Sequence, residues 1–525
     1  MATSNAQQQH RSALKQYLRS HSNNTNQNKK VWEDKSPKEK GLDEKSKIQV
    51  ESNNPSHVNS KKNLNSLKNC NLKKNTYNPI KLPLISKNGG RKVKVVFESL
   101  PDEIIRIIFW KLQIGDLINV SQVCKRWHRI AEDNLLWKHF YSRFVGATSK
   151  EAEDKTPAHE LHSCCWKNLC LNRCKLKRDQ IYLKKWKHPD SYTGLKQRPE
   201  LTLSKVGVTF EISFIDSCGL SQSMKQSDIY WLTMSASVRW YDLTFPDIQQ
   251  IKSLRIHACS PLMFYGPSKP AKDGISQKSL LMEFNGNLRE FLLKEKPLGS
   301  DSHINIFEIS KGLIIGLYQV DGELAFVTAS LHYFNLISKC LSGTPRRCWE
   351  PSLPMRPVDD IDPHYGLHGY TCILQIRNMR QKLLDCKFTD LYTKKGSLVG
   401  GFAVYNPVCK DDKMTHIACV KEITFPWKTN LFKGVVQAVG ILDVIMLDER
   451  GEPFWTISSA IKVEHSSQTY QFEFEPSNYR VVHYEDDQGK LDMEMGKLDD
   501  GGFYLSDLTI ALSVSAINKT FNTSY

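Results

Sequence analysis

Ser99-Leu100-Pro101-Asp102-Glu103-Ile104-Ile105 opens the stretch on which the reading of this chain turns. Ser99 can cap a helix start, Asp102 stands three residues on as a capping-box partner, and Pro101 supplies a pre-set φ in the first turn. Ile104, Ile105, Ile108 and Leu112 follow at i, i+1, i+4 and i+8, one apolar stripe. Gly115 reads as the stop of that helix and Asp116 as the cap of the next, in which Leu117, Val120, Val123, Cys124, Trp127 and Ala131 recur at threes and fours. Lys125, Arg126 and Arg129 fall mostly between them. Asp133 opens a third helix bearing Leu135, Leu136, Trp137, Phe140 and Phe144. Three short helices carry more large apolar surface than so few residues can bury among themselves. Periodicity leaves two completions open: an outside partner, or the rest of this chain.

Upstream, residues 1–90 hold 17 Lys+Arg and 6 Asp+Glu, a net of +11 out of the chain's +16, so only +5 is left for residues 91–525. Whole-chain charge is therefore a poor argument for nucleic acid. The same 90 residues are rich in Asn, Lys, Ser and Gln, with Tyr17, Trp32 and Tyr77 as their aromatics. Too little apolar surface is available to offset the entropy of ordering, which predicts a disordered basic tail. Its pairs Lys29-Lys30, Lys61-Lys62 and Lys73-Lys74 read as solvated charge in preference to a nuclear signal. The polar start Met1–His10 lacks the apolar core of a signal peptide, and Val435–Leu447, interrupted by Gln437 and Asp443, falls short of a membrane span. Fourteen scattered cysteines form no secreted framework. A soluble, reduced protein of the cytoplasm and/or nucleus is expected, with no membrane partner.

Downstream, a 525-residue chain predicts about two to four domains. The composition divides it into the tail 1–90, a helical unit 95–145, a linker with a basic helical stretch over 146–200, and a β-rich part 201–525. The basic stretch, Leu161–Trp186, is ended by Pro189 and Gly194. Beyond Leu203, short β-branched and aromatic runs alternate with turns: Val206–Ile215, Ile229–Tyr241, Leu313–Gln319, Tyr370–Ile376, Ile417–Phe425, Val435–Leu447, Phe454–Val463, Tyr470–Phe474 and Leu508–Ala516. Asp321-Gly322, Asp448–Gly451 and Asp486–Gly489 place glycine where a positive φ is expected. One helix is predicted at Ala329–Leu341. No period of 20–50 residues appears. The fold class is α+β and multidomain, ending in a mostly antiparallel, sandwich-like β domain.

The run Phe97-Glu98-Ser99-Leu100-Pro101-Asp102-Glu103-Ile104, with Ile107-Ile108-Phe109, Leu112, Asp116-Leu117, Val123-Cys124-Lys125-Arg126-Trp127, Ala131 and Leu135-Leu136-Trp137, resembles a complete three-helix F-box. The resemblance implies binding to the adaptor Skp1 and, through it, to a cullin and a RING subunit. Carried over residue by residue, the Skp1-facing set would be Leu100, Pro101, Ile104, Ile105, Ile108, Leu117, Val120, Val123, Cys124 and Trp127. Trp110-Lys111 departs from the family, where a small or aromatic residue and then Tyr or His are commoner. Glu323–Val327, Leu331–Phe334, His364–Tyr370, Pro426–Thr429 and Leu447–Trp455 resemble the β half of one kind of F-box protein, tying both halves to one family. The function so implied is that of a non-catalytic substrate-recognition subunit of an SCF-type ubiquitin ligase, with no cofactor.

Other chemistry is weaker. Cys164, Cys165, Cys170 and Cys174, near His159, His162 and His188, contain no Cys-x-x-Cys pair, and Trp166, Leu169 and Leu171 argue for a packed helix over zinc. Asp359, Asp360, Asp362, His364 and His368 crowd one loop; a turn whose Asp side chains cap backbone amides is the plainer reading than a metal or proton relay. If that loop, Met355–Gly369, binds a protein substrate, Asp359, Asp360, Asp362 and Tyr365 are its candidate contacts, suited to a basic partner. Trp231, Trp240, Trp349, Trp427 and Trp455 read mostly as core. Two rival functions remain: nucleic-acid binding through the tail and Leu161–Trp186, and an enzyme at the Asp359–His368 loop.

Overall fold

The computed structural model describes residues 100–145, 165–183, 190, 192–195, 199–242, 244–262, 264–265, 269–270, 275–351, 359, 361–419, 422–466, 479–498 and 502–525. The tail 1–90, Ser99, Asp360 and the strand expected at Tyr470–Phe474 lie outside them.

The helical unit consists of four helices where the periodicity predicts three: α1 Asp102–Trp110, α2 Ile114–Ser121, α3 Lys125–Ala131 and α4 Asn134–Val145. Gly115 stops nothing. α1 ends at Trp110, and Gly115 and Asp116 sit inside the first turn of α2. The long second segment breaks because Cys124 is fully extended, and its Sγ accepts the Trp127 N–H at 3.5 Å to cap α3. Pro101, itself extended, is the N-cap of α1. Asp102 makes no cap; its carboxylate accepts Arg126 Nε at 2.8 Å and Arg129 Nη2 at 2.9 Å, and the Arg126 bond holds it below the usual carboxylate range. That link ties α1 to α3. Ile105, Phe109, Leu117, Ile130, Trp137 and Phe140 close the core beneath, where Trp137 Nε1 donates to Ala131 O at 2.7 Å.

Among the described residues every strand pairing in the β part is antiparallel. A four-stranded sheet runs Ser221–Lys225, Thr209–Asp216, Ile251–Pro261, Ser276–Asn285. A six-stranded sheet runs Asp228–Trp231, Ser235–Trp240, Leu324–His332, Leu313–Tyr318, Ile304–Ser310, Gly299–Ser300. These two share one core, in which Phe210, Ile212 and Ile256 meet Val238, Trp240, Ile315 and Val327. The third sheet is nine-stranded and curls into a near-barrel, in the order Lys382–Leu391, Tyr370–Arg377, Val439–Leu447, Pro453–His465, Tyr479–Glu485, Gly489–Lys497, Phe503–Ser513, Phe402–Val408, with Ile417–Cys419 also paired to Phe503–Ser513. It encloses its own core around Tyr370, Leu442, Trp455, Val482 and Leu508, packed also by Ile517 and Phe521 of the C-terminal helix Val514–Phe521. The sandwich expectation describes the first two sheets; the near-barrel is the addition.

Two local expectations change. The helix predicted at Ala329–Leu341 is strand through His332, followed by a shorter helix Leu336–Ser342. Strand Leu324–His332 is buried on both faces, so its apolar run carries no period-two signal. Gly322 and Gly451 do hold positive φ, but Gly489 does not. It lies in a strand, where a Cβ would come within 2.6 Å of Ala511 O.

The six-stranded sheet is covered on both sides. Ser235-Ala236-Ser237-Val238-Arg239-Trp240 alternates polar and apolar, yet all six residues are buried. The apolar set faces the first core. On the other side Ser235, Ser237 and Ser330 meet the fully buried pair Arg377–Asp443 of the nine-stranded sheet. Arg377 Nε donates to Asp443 Oδ2 at 2.5 Å, and its Nη1 to Ser237 Oγ at 2.8 Å; Ser458 Oγ donates to Asp443 Oδ1 at 2.6 Å. Removing one member strands a buried charge, at a cost of about 3–5 kcal/mol. Asp443→Ala and Arg377→Met should each lose that much in equilibrium denaturation. The double variant Arg377→Met/Asp443→Leu should lose less than either single change; equal or greater loss contradicts this account.

His332, at the end of its strand, has Nε2 sealed from solvent with no partner among the described residues, while Nδ1 accepts the Phe334 N–H at 3.1 Å. Burial pushes its pKa down to about 4 from an ordinary 6.5. Above pH 6.5 both folded and unfolded forms are neutral. As pH falls from 6.5 to about 4 the unfolded chain takes up a proton that the folded one refuses, so stability is lost across that window. A His332→Gln variant should show a shallower fall of Tm between pH 6.5 and 4 than the parent; parallel curves would contradict the assignment.

Candidate functional site

The helical unit has an inside and an outside, and the structure sorts between them the ten residues expected to face a partner. Ile105 and Leu117 are wholly buried in the core, so they support the outer surface from behind and cannot touch a partner. Leu100, Ile108, Val120 and Trp127 are half-buried and pack on that core from outside. Trp127 meets Phe109 edge to face at 5.8 Å. Pro101, Ile104, Val123 and Cys124 are exposed. Three further apolar side chains join them: Ile107, Trp110 and Leu135, with Val123 and Leu135 the most open at 63% and 72%. Ile107 was legible as i+3 from Ile104. Leu135 was not, since Leu136 beside it is the core residue and periodicity alone does not choose between neighbours. Trp110, the departure from the family pattern, is accommodated by His139 of α4, ring centroids 4.8 Å apart.

A fifth helix, Trp166–Leu183, completes the helical unit, a small hook, and joins it to the β part. Trp166 packs against Tyr141 at 5.4 Å, its N–H donates to Asn134 Oδ1 at 2.9 Å, and Lys167 pairs with Glu132. Cys170 and Cys174, one turn apart, are buried in the hook's apolar core, which is their role here. Cys165 is exposed; Cys164, His159, His162 and His188 lie outside the described residues. At the far end of the helix Arg178 is 2% exposed. It donates to Ser260 Oγ at 3.0 Å in the four-stranded sheet and to Leu341 O at 2.9 Å in helix Leu336–Ser342, while Nε is held by Asp179 at 2.9 Å. A basic helix thus spends one of its charges as a latch between hook and β part.

The acidic loop is a capped turn. Asp359 Oδ1 accepts the Ile361 N–H at 2.9 Å, Asp362 Oδ1 accepts that of His364 at 2.8 Å, and Asp362 Oδ2 bonds His368 Nε2. The His368 contact holds the Asp362 carboxyl below its usual range. Tyr365 is a correction: it is buried, edge to face with Phe521 at 5.3 Å, and its carbonyl accepts the Tyr525 hydroxyl at 2.6 Å, so it is no surface contact. Trp240, Trp427 and Trp455 are core; Trp231 and Trp349 are half-buried.

The helical unit thus has a closed core, an apolar outer row and a buried latch to the β part. Residues 97–143 match the F-box-like family, and the chain carries that domain. Over most of its length it is similar to F-box only protein 15: 25% identical to that of Macaca fascicularis over 81% of this chain and 100% of the relative, 26% to that of Homo sapiens over 82% and 86%, and 22% to that of Mus musculus over 80% and 99%. Domain and relatives together support, in general terms, a non-catalytic substrate adaptor of the SCF type.

If Arg178 is the latch, Arg178→Ala should leave the hook folded but raise amide exchange across 166–183 and lower Tm. A buried charged donor set removed from its acceptors typically costs about 1–3 kcal/mol. Exchange rates equal to the parent's would show that the latch holds nothing.

Proposed function

We propose that this protein is the substrate-recognition subunit of an SCF ubiquitin ligase, binding Skp1 through the outer row Pro101, Ile104, Ile107, Val123, Cys124 and Leu135, with Leu100, Ile108, Val120 and Trp127 flanking it. The observation that carries the reading is this row itself: aliphatic side chains standing in water on helices whose core is already closed beneath them. Solvated apolar rows of that kind mark partner surfaces. Skp1 in turn connects to a cullin and a RING subunit, and the β part holds a protein so that its lysines stay near the ubiquitin-charged enzyme; the rate gain is one of local concentration. Work in the cytoplasm and/or nucleus fits such a role. The nucleic-acid alternative draws less support, because two cations of its basic helix, Lys167 and Arg178, are committed to Glu132 and to the β part.

The exposed row allows a cleaner test than truncating half-buried Trp127, which also packs the core. Ile104→Glu/Val123→Glu should leave Tm within about a degree of the parent while weakening Skp1 capture by roughly 30-fold or more, the factor that the loss of one central anchor at about 2 kcal/mol represents. Undiminished capture would sink the reading.

A further inference from the structure

The open end of the outer sandwich carries a feature the hook does not use. Between the helix Leu288–Lys294 and the strands Ile304–Ser310 and Leu313–Tyr318 lies a cavity of about 200 Å³. Leu288, wholly buried, anchors the helix, and the Asn287 side chain caps it by accepting the Glu290 N–H at 3.2 Å. Arg289, Leu292 and Leu293 then share another helical face at i, i+3 and i+4, and all three line the cavity. Buried Phe307 and Leu317 form its floor. Leu293 is 78% exposed, a leucine left in water beside an apolar trough.

Among the described residues, the polar rim carries one charged side chain, Arg289. Arg289 makes no ion pair or hydrogen bond among the described residues. Asn305 Oδ1 accepts Gln319 Nε2 at 3.2 Å, which leaves the Asn305 amide N–H groups without a partner among the described residues. No carboxylate is among the described residues that line the cavity; Glu290 and Glu295 lie off the lining face, and Asp321 and Glu323, which act on Tyr318, flank it without lining it. The rim therefore offers one cation, Arg289, with the Asn305 side-chain amide as donor and the Gln319 side-chain carbonyl as acceptor, and the floor offers apolar surface.

We propose that this cavity is a peptide-binding site for an acidic-apolar segment: one large apolar side chain seated between Leu293 and Phe307, with a carboxylate one or two residues away on Arg289. That the segment belongs to a ubiquitination substrate rests on the adaptor reading; the peptide chemistry does not.

The full chain is titrated with acetyl-Phe-Ala-Glu-amide and with its Gln and Lys counterparts, followed by ligand-observed NMR. The Glu peptide should bind at least fivefold tighter than the other two. Arg289→Glu should invert that order in favour of the Lys peptide, and Leu293→Asp should weaken the Glu peptide at least fivefold. Both positions are exposed, and an unchanged Tm verifies the fold. Three indistinguishable peptides, or affinities untouched by both substitutions, would overturn the proposal. So would concentration-dependent self-association abolished by Leu293→Asp, which would assign the trough to a second copy. Skp1 capture is measured on the same variants and should not change. Failure of the parent to capture Skp1 would overturn the adaptor reading alone, and leave the peptide preference standing as a binding site of other purpose.

Discussion

The Arg377–Asp443 pair is the constraint on which the β architecture depends. Two opposite charges with no exposed side-chain surface must have every donor and acceptor answered, because an unanswered one costs far more than the pair returns. Here the answers come from both sheets: Ser235, Ser237 and Ser330 from the middle layer, Ser458 from the near-barrel. A shift of either sheet by one residue would turn these hydroxyls to the other face. The pair therefore sets register and angle between the layers, whatever its net contribution to stability.

Its surroundings show how closely the layers approach. A Cβ on Gly312 would lie 2.6 Å from Ser458 O and 2.8 Å from Ser330 O, so only glycine fits where these strands cross. Glu308, half-buried and with its pKa raised by desolvation of the carboxyl, has one carboxylate oxygen accepting from Gly312 N, Ser459 Oγ and Ala460 N. From this stitched centre the outer four-stranded sheet packs on one side, and Arg178 reaches that sheet from the fifth hook helix. The apolar row and the sandwich cavity thus belong to one compact unit spanning residues 92–525.

Much of the hook was legible. Apolar residues at threes and fours, proline at the start and the order of its motifs all point to it, because helix packing leaves a local signature. The errors there came from backbone detail. Cys124 in an extended conformation divides what periodicity reads as one helix, and Asp102 answers two arginines in place of a capping box. Inside against outside was legible only in part, since Ile104 and Ile105 adjoin on the stripe and only packing decides that the second is core.

The β part shows where such signals end. Sequence by itself determined that this region is strand-rich, that Gly322 and Gly451 turn with positive φ, that most of its tryptophans are interior, and that an F-box-like hook precedes it. The strands, turns and buried tryptophans follow from short-range sterics and hydrophobic spacing; the hook's family follows from the resemblance of its motifs. Only tertiary structure decided that Ser235, Ser237 and Arg239 are buried, that Tyr365 faces inward, and that the Arg178 side chain reaches from its basic helix into the β part as a latch. The physical reason is common to all three. A polar residue within a strand or helix looks solvated from its neighbours in sequence, and its burial becomes possible only when a distant segment supplies the missing donors and acceptors.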